Sequence, residues 1–259
     1  MKQISSRENP AFKAWKRLAR SGRERRKAGQ TLLEGMHLLT AWEARYGLPP
    51  TVLVGEAGRQ RHEIAAWLTR HPSAEVVVLP EAMLAELADT ETPAGILALV
   101  NLPAPGAAPA SDRDAVLLDG IQDPGNLGTL LRTAAAAGFV QVLLAPDCVS
   151  AWSPKVLRAG QGAHFVLDIH ENQDLPAFLR GYRGTSLATS LDQAVSLYQA
   201  SWQEPVAWVF GSEGQGVRPE TLAQAQQRIT IPMPGPVESL NVGAAAAVCL
   251  FETLRRRRG

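Results

Sequence analysis

Apolar residues in the first hundred positions fall into short runs of two alternating kinds. The compact runs TLL (31–33), TVLVG (51–55), EVVVLP (75–80) and GILALV (95–100) are rich in Val, Ile and Leu and bounded by Gly or Pro, the signature of buried strands. Between them, the segments 36–46, 63–71 and 81–89 place their apolar residues three and four apart, as helices lying on a sheet do. The first of these is expected to stop before Gly47. Residues 7–28 are mostly polar, with Phe12, Trp15, Leu18 and Ala19 at helical spacing, which predicts one amphipathic, basic helix. Such alternation predicts a compact α/β domain.

The stretch NLPAPGAAPASD (101–112) interrupts the pattern with Pro, Ala and Gly and no apolar periodicity, as linkers do. Alternation then resumes. Strands are expected at 115–120, 141–146, 165–169, 185–190, 208–212 and 228–232. Helices are expected at 126–138, 153–163, 174–182, in a short stretch from Ala194, at 218–226 and over 241–258. Strands of near-continuous apolar residues separated by helices indicate a mainly parallel sheet, whose ligands bind at the carboxyl ends of its strands. The expected division is a domain over 1–104, a linker over 105–112 and a second domain over 113–259.

The chain has 259 residues, 46% hydrophobic and 20% charged, enough for two ordinary domains with substantial cores. No stretch approaches 18 consecutive apolar residues, and the N-terminus has no apolar core of a signal peptide, so a cytoplasmic location off the membrane is expected. Cys148 and Cys249 are far apart and lack CxxC spacing, which excludes a cysteine-based zinc site and argues against a disulfide framework; both read as small buried hydrophobes. The five histidines show no spacing suited to a metal or a catalytic triad, and no metal is expected.

A net charge of +1 hides an uneven distribution. Residues 1–30 hold ten Lys and Arg against Glu8 and Glu24, and Arg255 to Arg258 add four more, leaving 12 basic and 23 acidic residues in 31–254. Basic ends on an acidic body suit a polyanion partner. A solvated helix face is the other reading. Trp15, beside Lys13, Lys16 and Arg17, is open to stacking on a base or to packing under its helix.

Three loops at expected strand ends are rich in Gly, Pro and Asn: DGIQDPGNLG (119–128), GSEGQG (211–216) and IPMPGPVESLN (231–241). Their prolines and glycines cannot continue a helix or a central strand. No G-x-G-x-x-G follows the first strand of either half and no G-x-x-x-x-G-K occurs, so the usual phosphate cradles are missing. Such loops instead expose backbone amides and carbonyls to a ligand.

The spacing of Asn126, Gly128 and Arg132, the turn of Gly211, Glu213, Gly214 and Gly216, and the IPM…SLN loop resemble, in order, the three motifs of the SpoU (TrmH-type) RNA ribose 2′-O-methyltransferases of the SPOUT superfamily. The resemblance spans 117–241. It implies a trefoil-knotted catalytic domain preceded by a small ribosomal-protein L30e-like α/β domain that binds RNA. It also implies a homodimer that uses S-adenosylmethionine to methylate a ribose 2′-hydroxyl in structured RNA, with ribosomal RNA (rRNA) ahead of transfer RNA (tRNA). Ordinary topology rules argue against knots, and nothing in the spacing predicts one. Gly211, Ile231 and Leu240 then contact the cofactor through backbone, with Met233 and Pro232 shaping its pocket.

Arg132, Asn126, Glu213, Ser239 and Asn241 are the implied catalytic group. A guanidinium stays charged at neutral pH, so Arg132 suits clamping a phosphate or orienting the hydroxyl. On the residues alone, Asn126 is also an N-cap or Asx turn before a helix starting near Gly128. Glu213 is also a solvated turn residue, Ser239 and Asn241 are also caps of the last helix, and Ile231 and Leu240 are also core. Gly243 stands where the family commonly has Ser. A non-catalytic RNA-binding or ribosome-assembly factor and a small-molecule methyltransferase are the competing classes.

Overall fold

A computed structural model describes residues 1–104 and 107–258; Pro105 and Gly106, in the expected linker, and Gly259 lie outside the described residues. The chain forms two compact units, Met1–Ala104 with Trp152–Phe165, and Pro105–Ala151 with Val166–Gly259.

The first unit runs β1 (Lys2–Gln3), α1 (Pro10–Arg20), α2 (Gly22–Ala28), β2 (Gln30–Glu34), α3 (Met36–Tyr46), β3 (Thr51–Gly55), α4 (His62–Arg70), β4 (Val76–Leu79), α5 (Glu81–Leu87) and β5 (Ile96–Asn101). Its sheet has the order β1-β4-β3-β5-β2, with β5 antiparallel to both neighbours and β1 and β3 parallel to β4. Strand periodicity of two sends alternate side chains to opposite faces. Val52, Val54, Val76 and Val78 pack with Trp42 of α3 and Trp67 of α4. Leu53, Val77 and Leu79 pack with Phe12 and Trp15 of α1 and Met83 of α5. Trp15 is thus a core residue.

The single helix expected over 7–28 is two. Ser21 leaves helical geometry (φ −127°, ψ 115°), ends α1 by donating its N–H to the Arg17 carbonyl, and starts α2 by accepting the Glu24 N–H on its hydroxyl. A Ser-Gly pair supplies both a cap and backbone freedom, which outweighs the helical spacing around it.

The second unit begins with β6 (Ala115–Asp119), α6 (Pro124–Ala136) and β7 (Gln141–Leu144). Next in the chain, α7 (Pro154–Gly160) departs from the expected division: the segment Trp152–Phe165 belongs to the first unit, where Leu157 and Phe165 join the Trp42 core. Alternation of helix and strand says nothing about which sheet a helix packs on. The second unit continues with β8 (Asp168–His170), α8 (Leu175–Gly181), β9 (Thr185–Thr189), β10 (Val195–Ser196), β11 (Val206–Gly211), α9 (Pro219–Leu222), β12 (Gln227–Thr230) and α10 (Val242–Arg257). Its sheet has the order β10-β12-β9-β11-β6-β7-β8, and every pairing is parallel. The carboxyl ends of β6, β11 and β12 therefore share one edge, and these ends carry the three loops.

Three local expectations fail. The strand expected over 165–169 begins only at Asp168, after a tight turn at Ala163–Phe165. The stretch from Ala194 is an edge strand, because Val195 pairs with Ile229 of β12 and sheet pairing overrides a weak helical preference. The helix expected over 218–226 stops at Leu222, since the chain is drawn to β9: Gln226 donates its N–H to the Ser186 hydroxyl and accepts the Ser186 N–H on its side chain.

The arginines that end α10 are mostly consumed internally. Arg255 and Arg256 both engage Glu252, at 2.8 and 2.7 Å. Arg256 also donates to the carbonyls of Ala200 and Leu197 and lies over the Trp202 ring at 4.0 Å. Arg257 pairs with Asp114 at 2.7 Å and with Glu204. The expectation of a free basic patch at this end is corrected accordingly: the charge anchors a helix to its own unit.

Candidate active site

The first loop is fixed from below by a buried carboxylate. Asp119, the last residue of β6, is 1% exposed. One of its oxygens accepts from Arg218 Nε and a terminal guanidinium nitrogen (2.6 and 2.5 Å), and the other accepts the Arg218 backbone N–H at 3.0 Å. This clamp ties the end of β6 to the chain beyond β11, and it holds the guanidinium pKa of Arg218 above its ordinary value. Gly120 turns the chain at φ +71°, where side chains are strained. Cys148 then latches the loop, its thiol donating to the Leu118 carbonyl and accepting the Ile121 N–H. Burial pushes that thiol up to about 11, so it remains a protonated donor. Cys249 is buried, as expected, and both cysteines are free.

Asp123 caps α6, accepting the Asn126 N–H at 2.7 Å, with Pro124 as the first helical residue. The helix therefore starts four residues before Gly128. Asn126 is its third residue and not its cap, which frees the amide side chain. Arg132, six residues further on, is displaced by about 9 Å along the axis and about 120° around it. It is exposed and makes no hydrogen bond or ion pair with any described residue.

The second loop returns on itself. Gly216 donates its N–H to the Ser212 carbonyl at 2.8 Å. A Cβ on Gly211 would lie 2.0 Å from the Gly216 carbonyl carbon and 2.1 Å from the Val217 nitrogen. Only glycine permits that closure.

In the third loop Asn241 caps α10, its side-chain oxygen accepting from the N–H groups of Gly243 (2.9 Å) and Ala244 (3.3 Å). The amide nitrogen of the same side chain donates to Asn126 Oδ1 at 3.0 Å and to Glu213 Oε1 at 2.5 Å. One residue thus ties all three loops together, and capping α10 leaves the Asn241 amide nitrogen available to join Asn126 and Glu213. Gly243 sits where a Cβ would come within 2.9 Å of Thr129 Cγ2 on α6, which accounts for a small residue at the α6–α10 crossing.

Two adjoining cavities flank the 212–216 loop. The larger, about 460 Å³, is lined by Gly211, Glu213, Ile231, Met233, Ser239 and Leu240, together with Thr189 at the end of β9 and Ser190 and Asp192 just beyond it. Its charged lining residues are Asp192, Glu213 and Glu238, with no Lys or Arg. Leu240 is 39% exposed, so it is no core residue. Pro232 is exposed and absent from the lining. The smaller cavity, about 390 Å³, contains Asp119, Asp123, Asn126, Asp147, Glu213 and Arg218. Glu213 faces both.

The structure brings Asn126, Glu213, Ser239, Asn241, Gly211, Ile231, Met233 and Leu240 together, and leaves Arg132 and Pro232 outside. Sequence reasoning missed the Asp119–Arg218 clamp and the β9 loop. An acidic residue closing the otherwise apolar AVLLD strand was the available signal for the clamp. Among the described residues no group of three or more His, Cys, Asp or Glu side chains is placed to hold a metal ion, and no helix is long and apolar enough to cross a membrane.

Comparison with known proteins places this geometry. Residues 114–251 match the SpoU rRNA Methylase family, and residues 2–98 match the MRM3-like substrate binding domain. The 23S rRNA (guanosine(2553)-2′-O)-methyltransferase RlmP of Bacillus subtilis is 32% identical over 97% of this chain and 98% of its own length. A crystal structure of an RNA 2′-O ribose methyltransferase superposes with a TM-score of 0.82 at 30% identity, covering 99% of this chain and 100% of that one. An AdoMet-bound rRNA methyltransferase from Sinorhizobium meliloti gives a TM-score of 0.82 at 26% identity, over 99% and 98% of the two chains. With more than half its length matched and the three loops gathered at one sheet edge, the chain belongs to the SpoU rRNA methylase family.

Proposed function

We propose that this protein transfers a methyl group from S-adenosylmethionine to the ribose 2′-hydroxyl of a nucleotide in 23S rRNA, with guanosine the favoured target. The observation that carries the reading is the 460 Å³ cavity at the carboxyl ends of parallel strands, lined by three carboxylates and no cation. That lining suits a ligand bearing a sulfonium and an ammonium and no phosphate, and it disfavours nucleotide cofactors. Gly211, Ile231 and Leu240 line that cavity, where their backbone suits bonding with the adenine and ribose edges, while Met233 supplies apolar contact. The named relatives, an rRNA methyltransferase acting on guanosine and an AdoMet-bound rRNA methyltransferase, support both cofactor and substrate class.

The cofactor supplies a methyl already activated on sulfur, which leaves alignment and proton handling to the chain. Glu213 opens on both cavities and is held by Asn241, so its carboxylate suits accepting a hydrogen bond from the ribose hydroxyl. Asn126 and Ser239 contribute further polar contacts to the sugar. Arg132 orients the hydroxyl or its phosphate from a second copy of the chain. The reading therefore includes a homodimer built on the face where α6 meets α10; exposed Thr129, Arg132, Ala244 and Phe251 on these helices support it. The same reading includes a trefoil knot, with α10 returning to pack on α6, and a cytoplasmic location.

The decisive experiment is calorimetry with S-adenosylmethionine, combined with ribose-methylation mapping of total RNA from cells with and without the gene. Micromolar cofactor binding and loss of one 23S rRNA methylation are expected. Absence of cofactor binding at millimolar concentration would favour a non-catalytic RNA-binding factor, and loss of a tRNA methylation would move the substrate.

A further inference from the structure

The basic charge of the first thirty residues is not one patch. Arg7 and Lys16 both bind Glu86, Lys13 binds Glu8 at 2.5 Å, and Arg17 faces Glu24 at 3.5 Å. Lys16, and after it Arg7, draw the Glu86 carboxyl below its usual range. Arg25 is 6% exposed and donates to the Leu18 carbonyl at 2.8 Å, pinning α2 to the end of α1. Arg20, Arg23, Arg26 and Lys27 are different: all four are exposed, and none has an acidic partner among the described residues. Lys2, on β1, is the remaining cation of this stretch without one.

Position strengthens the contrast. Arg23, Arg26 and Lys27 stand at i, i+3 and i+4 of α2 and so share one face. Arg20 closes α1 one residue before the Ser21 corner. A cation already paired with a carboxylate offers a phosphate little net attraction, whereas an unpaired one releases counterions when it neutralises a phosphate.

We propose that Arg20, Arg23, Arg26 and Lys27, at the corner between α1 and α2, form a phosphate-contact surface for RNA, and that Arg7, Lys13, Lys16 and Arg17 in the same basic run do not. The inference rests on the RNA-methylation reading and adds the surface through which the first unit engages its substrate. Arg25 is a positioning residue, since its guanidinium is spent on holding the corner.

Two quadruple variants separate the groups. Binding of a fluorescently labelled stem–loop RNA is measured across a potassium chloride series for the intact protein, for Arg20/Arg23/Arg26/Lys27→Gln and for Arg7/Lys13/Lys16/Arg17→Gln, with S-adenosylmethionine calorimetry and a thermal melt on each. The two variants change net charge equally. The corner variant is expected to lower the slope of log affinity against log salt by roughly 3 to 4 and to weaken binding at least about tenfold at 0.1 M salt. The paired variant should change that slope by less than about 1. A milder Arg23→Gln/Lys27→Gln pair, expected to lose roughly 2 of slope, gives the same reading if the quadruple variant folds poorly. Equal slope changes in the two quadruple variants would overturn the inference. So would an unchanged RNA slope in the corner variant accompanied by lost binding to phosphatidylserine vesicles, which would assign the corner to a membrane surface. An intact protein that binds S-adenosylmethionine but no RNA would instead bring down the RNA reading and the inference together.

Discussion

Asn241 offers the sharpest test of how this site is held together, because its two side-chain atoms do separable jobs. Its oxygen caps α10 and its nitrogen bridges Asn126 and Glu213. Removing a polar N-cap costs about 0.5–2 kcal/mol. The bridging bonds lie at exposed positions, so they contribute at the low end of the ~0.5–1.5 kcal/mol usual for a hydrogen bond. Asn241→Ala, losing both, should therefore destabilise by about 1–3 kcal/mol, and a unit of this size loses roughly 2–4 °C of melting temperature per kcal/mol. Asn241→Asp keeps the capping oxygen and adds a charge that the helix N-terminus favours. It deletes the donor and sets a carboxylate against Glu213, so it should melt within a few degrees of wild type while losing most methyl transfer. Asn241→Ser, a neutral cap too short to bridge, should behave similarly without the repulsion. The assays are thermal melting, cofactor calorimetry and methylation of rRNA extracted from cells lacking the gene. Wild-type turnover in Asn241→Asp and Asn241→Ser would refute the bridge as the organiser of the site, and equal melting of Asn241→Asp and Asn241→Ala would refute the cap.

The closure of the second loop predicts that Gly211→Ala costs more than the ~1–3 kcal/mol of ordinary overpacking, because the three nearest atoms its Cβ would meet are all backbone. Cofactor affinity should fall at least about tenfold, which calorimetry measures; unchanged affinity would contradict the steric argument. Arg132→Ala should abolish methyl transfer yet leave cofactor affinity within a few-fold, since the residue lines neither cavity and has no partner among the described residues; retained turnover would remove it from the catalytic group. The Glu252 carboxyl is held down from 4.5 to about 2, chiefly by its bond to Arg255 and further by Arg256. A depressed carboxyl stabilises the fold above its unfolded value and loses that contribution as pH falls through its folded one. The melting-temperature gap between wild type and Glu252→Gln should thus be constant above pH 5 and close between about pH 4.5 and 2; a gap that persists at pH 2 would show that the arginine fork is energetically silent.

Much of the architecture is legible in the chain because it rests on local patterning. TVLVG, EVVVLP and GILALV are buried on both faces, so their apolar runs are continuous, and the helices between them carry one apolar side each. Tertiary decisions are not local. Nothing in SPKVLRAG distinguishes a helix covering the sheet of its own half from one delivered to the other unit, and α7 is the latter. Nor does a stretch around Ala194 announce that Val195 will find Ile229 and become a strand. The break of the N-terminal helix at Ser21 was present in the Ser-Gly pair, but it was masked by the regular spacing of Trp15, Leu18 and Ala19 around it.

The site shows a similar limit. Motif spacing located Asn126, Glu213 and Asn241 on three loops, but not the fact that one amide nitrogen serves two of them while its oxygen caps a helix. That economy depends on parallel strands bringing three carboxyl ends to one edge, so it exists only after the sheet has formed. Charge is subject to the same rule. Arg255, Arg256 and Arg257 look in sequence like a tail for a polyanion, yet Glu252, Asp114 and Glu204 occupy them. Arg20, Arg23, Arg26 and Lys27 look no different in sequence and have no acidic partner among the described residues. Arginine count therefore measures how much positive charge a chain carries, and the placement of its carboxylates, which is a property of the fold, decides how much of it remains for RNA.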